Sequence, residues 1–127
     1  MARNDIPLKV EAKTANYTLA VDGSDFGKVF TNRGATGAVT FTLPTPSAGI
    51  KGAYVEFWTA AAQTIALAVT GADTLVVHAD LTADTITTAA TIGQHLRALC
   101  DGTGWLVQSD PSAATTATAV TAVTLAS

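Results

Sequence analysis

Apolar residues recur at every second position through most of this chain, in short runs stopped by Gly, Asp, Asn or Pro, and that rhythm constrains the fold more than any other feature. Tyr17, Leu19 and Val21 alternate up to the turn Asp22-Gly23-Ser24-Asp25. Val29 and Phe30 follow, then Asn32-Arg33-Gly34, then Val39, Phe41 and Leu43, with Thr40 and Thr42 suited to an outward β face. Pro44 and Pro46 end that run. In Tyr54-Val-Glu-Phe-Trp58, Val55 and Phe57 share one face while Tyr54, Glu56 and Trp58 share the other, so this strand reads as covered on both sides. The same rhythm continues through Ile65, Leu67 and Val69, through Leu75 and Val77, more weakly at Ile86, and through Leu96, Ala98 and Cys100. Asp101-Gly102-Thr103-Gly104 then leads into Trp105 and Val107, the clearest hairpin signal in the chain. The Ala clusters at 60–62 and 89–90 are too short to stand as helices. About eight short strands at this spacing predict an all-β fold: an antiparallel sandwich, a jelly roll or a tulip-like barrel.

Composition limits what such a domain does. With 127 residues the chain has room for one domain and a modest core. Only 13% of residues are charged, about half the usual share. A mean hydropathy of +0.33 argues against disorder. No apolar run approaches the ~20 residues of a membrane span, and the first residues lack the apolar centre of a signal peptide. Low charge therefore points to surface that lies against partners. A net charge of −3 without a basic stripe argues against direct nucleic-acid binding. The single Cys100 allows no internal disulfide, which fits a reducing cytoplasm as the place of synthesis.

The raw material for catalysis is poor. His78 and His95 are the only histidines, and neither stands at a metal-ligand spacing. His78 and Asp80 share a strand face but read as a strand end beside a solvated carboxylate, and His95 reads as a wall or rim residue. Cys100 reads as a small buried hydrophobe. Asp73, Asp80, Asp84, Asp101 and Asp110 fall near turns, where aspartate caps its own backbone. The glycines at 34, 37, 102 and 104 lack a helix and a lysine in register for phosphate, and Asn16-Tyr17-Thr18 matches the glycan acceptor pattern only by chance. No catalytic residue, metal or cofactor is expected. Tyr54, Trp58 and Trp105 form either a sugar-stacking platform or, as composition favours, core and subunit contacts.

The ends differ from the middle, and three segments are expected: an N-terminal arm over 1–14, a β domain over 15–110, and a tail over 111–127. The arm carries Arg3, Lys9 and Lys13 with Ile6, Leu8 and Val10. The tail holds no charged side chain, only small residues plus Val120, Val123 and Leu125. Arms of this kind suit docking on neighbouring subunits by strand addition or by seating in a groove.

The stretch from Asp25 to Pro44, followed by Ile92-Gly93 and Leu99-Cys-Asp-Gly-Thr-Gly-Trp105, resembles a module of tailed-bacteriophage structural proteins, including capsid decoration proteins and fibres. Without extended repeats or a coiled-coil shaft, and taken as a whole protein, the chain looks most like a small head-decoration protein. The resemblance implies a non-enzymatic homotrimer on the outer surface of the virion capsid, stabilising it by bridging copies of the major capsid protein. Arg3, Ile6, Leu8, Lys9, Val10 and Lys13 would contact the capsid, and Tyr54, Trp58, Val120, Val123 and Leu125 would contact other subunits. The alternative is a tail-fibre or adhesin-type domain that binds a host-surface receptor or glycan.

Overall fold

A computed structural model describes residues 9–77 and 80–109. The alternating runs become eleven strands: β1 (Lys9–Ala12), β2 (Tyr17–Thr18), β3 (Lys28–Thr31), β4 (Val39–Thr42), β5 (Tyr54–Trp58), β6 (Ile65–Ala68), β7 (Leu75–Val77), β8 (Asp80–Ala83), β9 (Thr85–Thr87), β10 (His95–Cys100) and β11 (Trp105–Ser109). The described residues hold no α-helix, only a 3-10 turn at Ala48–Ile50.

Pairing is what the alternation leaves open. β1, β3 and β5 lie side by side and parallel, and so do β2, β4 and β6. The chain therefore runs up one wall, crosses, runs along the other, and returns one strand further on. Lys9 stands beside Lys28, Val29 beside Glu56, Tyr17 beside Phe41 and Val39 beside Ile65. This is a β-solenoid of about three turns, with mixed parallel and antiparallel pairing. The antiparallel sandwich, jelly roll and tulip-like barrel expected from the sequence are all overturned. Period two dictates which side chains point inward, and a coil satisfies it as well as a hairpin does.

The last strands close the stack. β9 runs antiparallel to β6 and β10 antiparallel to β5, so the third turn is covered by strands of opposite direction. β11, β7 and β8 extend the first wall to seven strands in the order β1-β3-β5-β10-β11-β7-β8, opposite a four-stranded wall β2-β4-β6-β9. The core lies between the walls. Phe30, Phe41 and Phe57 meet with ring centroids 4.9–5.9 Å apart, and Leu19, Leu43, Ile65, Leu67, Leu75, Ile86 and Leu96 fill the space around them.

Polar side chains hold the corners. Asn32 and Thr59 follow β3 and β5 at matching bends, and both are buried. Asn32 donates to the Gln63 carbonyl and accepts from the Ala60 and Ala61 amides, tying the second turn to the third. Thr59 donates to the Thr91 carbonyl and accepts from the Gln94 amide, tying the third turn to its cover. A cross-section this repetitive needs such pins, because buried backbone groups at a bend lack a ladder partner.

Candidate functional site

The two outer faces differ. On the four-stranded wall, Thr40 and Thr42 of β4, Ala66 and Ala68 of β6, and Thr85 and Thr87 of β9 point outward, a small and uncharged surface. On the seven-stranded wall the register gathers larger and more varied groups in three rows. Tyr54, Leu99, Leu106 and Val76 form one row, Glu56, Arg97 and Gln108 the next, and Trp58 and His95 the third. Thr31 flanks Trp58, and Val29 and the 65% exposed Val10 extend the Glu56 row.

Each position follows from local sequence. Val55 and Phe57 are buried, so Tyr54, Glu56 and Trp58 face outward. Leu96, Ala98 and Cys100 are buried, so His95, Arg97 and Leu99 face outward. The hairpin sets the register between β10 and β11. Asp101 accepts from the Thr103 and Gly104 amides, and Gly102 takes φ +94, a conformation few side chains tolerate. Gly104 packs so closely that an added Cβ would meet the Thr74 carbonyl at 3.3 Å.

The polar members are interlocked. The Tyr54 hydroxyl donates to Oε2 of Glu56, and His95 Nε2 lies 3.1 Å from its Oε1. The Tyr54 hydroxyl is the main reason the Glu56 carboxyl is held below the usual glutamate range, with His95 adding to it and partial burial opposing. Burial, followed by the bond to Glu56, pushes the Tyr54 phenol up. Trp58, 41% exposed, lies with its ring centroid 4.3 Å from that of His95. The Arg97 guanidinium stands 5.9 Å from the Tyr54 ring centroid. Beside it Tyr54, Val76, Arg97, Leu99, Leu106 and Gln108 line a shallow groove of about 360 Å³. A second hollow, of about 390 Å³, lies between the turn at Asp22 and Gly23 and the turn from Gly49 to Gly52.

Of the residues singled out from sequence, Tyr54 and Trp58 stand on this face. Trp105 does not join them: it is fully buried, and its indole donates to the Pro44 carbonyl at 2.8 Å. Lys9 and Val10 lie on β1, and Lys13 folds back onto the chain, 2.6 Å from Glu11 and over the Tyr17 ring. Arg3, Ile6, Leu8, Val120, Val123 and Leu125 lie outside the described residues, as does His78. His95, Arg97, Leu99, Leu106 and Gln108 were not expected in a site. The hairpin signal contains them: once Cys100 pairs with Trp105, Leu99 must face Leu106 and Arg97 must face Gln108.

Among the described residues no group of three or more His, Cys, Asp or Glu side chains is gathered to hold a metal. No protein family matches the chain, and no curated protein matches it. The coil itself corrects the resemblance drawn from sequence: it is not the sandwich or jelly roll typical of capsid decoration proteins and is more like a fibrous or tail element. The expected role of bridging capsid subunits falls with it.

Proposed function

We infer that this chain is a recognition module of the tail-fibre or adhesin type, displaying the outer face of its seven-stranded wall to a host surface. The observation that carries this reading is the coil. Strands stacked in parallel turns make a rigid, quasi-one-dimensional body whose flat faces suit extended contact with a surface. One of those faces is plain Thr and Ala, and the other carries an exposed Trp58 among Tyr54, His95, Glu56 and Arg97. Rigid aromatic anchors beside interlocked polar groups are how binding faces gain affinity without ordering cost. Binding without turnover is the role assigned to His95 and Glu56, which stand on an open strand face in contact with Trp58 and Tyr54. Fluorescently labelled full chain added to a panel of bacterial strains tests the proposal. Saturable adsorption to at least one strain is expected, and adsorption to none overturns it.

A further inference from the structure

One charged side chain on the outer face makes no ion pair among the described residues, although the Glu56 carboxylate lies across from it. Both oxygens of Glu56 are engaged, one by Tyr54 and one by His95. Arg97, directly across from Glu56 on one side and Gln108 on the other, is exposed and joins none of the ion pairs among the described residues. Its guanidinium leans on the Tyr54 side chain, 5.9 Å from the ring centroid and interacting with the hydroxyl, and with five N–H donors it keeps others for a ligand. Trp58 stands diagonally from Arg97, and diagonal neighbours across an antiparallel pair lie about 7–8 Å apart. One sugar ring covers that span.

Four classes of occupant are disfavoured by the same face. A peptide strand needs a free backbone edge, whereas β5 and β10 are paired on both sides. Nucleic acid and anionic membranes demand several cations, and the three rows hold one arginine and no lysine. A neutral sugar uses Trp58 but gives the remaining donors of Arg97 no charged partner.

Resting on the adhesin reading, we propose that this face binds a carboxylate-bearing saccharide, with a sugar ring on Trp58 and its carboxylate paired with the Arg97 guanidinium. A planar guanidinium matches a carboxylate with two parallel hydrogen bonds, which confers orientation as well as affinity. Gln108 and the remaining acceptor capacity of Glu56 serve the hydroxyls. The groove over Val76, Leu99 and Leu106 takes the apolar side of the next sugar.

The test uses the full chain with trigalacturonate, sialyllactose and a hyaluronan tetrasaccharide, each compared with its methyl ester, which removes the charge and keeps the ring. Binding is read by calorimetry and by tryptophan emission, where the exposed Trp58 responds and the buried Trp105 does not. At least one acid is expected to bind with Kd of about 1 mM or tighter and its ester at least about tenfold more weakly. Arg97→Gln is expected to erase that difference, and Trp58→Ser to abolish binding, with unfolding midpoints unchanged. Failure of all three acids, or an ester that binds as well as its acid, overturns the inference. If the chain still adsorbs to cells in that case, the adhesin reading stands without it, whereas absence of adsorption removes the reading beneath.

Discussion

Asn32 is fully buried and uses its whole amide group to tie one turn of the coil to the next. Asn32→Ala strands two backbone amides and a carbonyl, so it is expected to destabilise the protein by about 2–3 kcal/mol in urea unfolding. Asp25 has a comparable role near the first turn, accepting from the Tyr17 hydroxyl, the Ala20 amide and the Lys28 ammonium at 2.7–3.1 Å. Burial works against its charge, but those three donors outweigh burial and hold the carboxyl below the usual aspartate range. A carboxylate whose folded value is depressed adds stability above its unfolded value, and that stability drains away as pH falls through the folded one. Stability is thus expected to decline below about pH 4, and Asp25→Asn to lower it by about 1–3 kcal/mol at pH 7 while flattening the acid decline. Thermal unfolding of both proteins across that range checks the sign. Neither residue was legible as a structural pin: an Asn or Asp two positions from a glycine looks the same in sequence whether it turns the chain in solvent or anchors a buried corner.

Strands were legible as strands because alternation reports which side chains are buried. Val39, Phe41 and Leu43 are fully buried and Thr40 and Thr42 are not, as the sequence requires. Alternation says nothing of which strand lies alongside, and here neighbours in space are separated in sequence by a whole turn of the coil. β7–β8 and β10–β11 are consecutive strands that pair directly, and in the β10–β11 hairpin the turn residues set the register. Gly102→Val forces a branched side chain into φ +94 and is expected to cost about 1–3 kcal/mol. Because that hairpin places Arg97 opposite Gln108, the same substitution should weaken ligand binding by disturbing the row, and calorimetry on the folded fraction separates the two effects. At the other edge, Glu11 takes an inward register position beside Phe30 and meets Lys13 and Lys28. Charges in that position discourage another strand from adding to β1.

At the scale of the whole molecule, the shortage of charge divides between the two walls. One outer face is Thr and Ala, which satisfies the pleat without inviting a partner. The other carries Tyr54, Glu56, Trp58, His95 and Arg97, aromatic and ionisable side chains that the Thr and Ala wall lacks. The sequence showed Tyr54, Glu56 and Trp58 on a common face, and missed the second strand that completes the site because His95, Arg97 and Leu99 read only as the polar side of a buried run. Under the proposed function, recognition belongs to one wall of the β-solenoid and not to the other. Adsorption to a responsive bacterial strain, measured for Leu106→Glu on the seven-stranded wall and Thr40→Glu on the four-stranded wall, tests it most directly. Leu106→Glu is expected to reduce adsorption at least about tenfold while Thr40→Glu leaves it within about twofold of the unaltered protein, with both variants folded. Equal loss from both substitutions, or loss from Thr40→Glu alone, would contradict it.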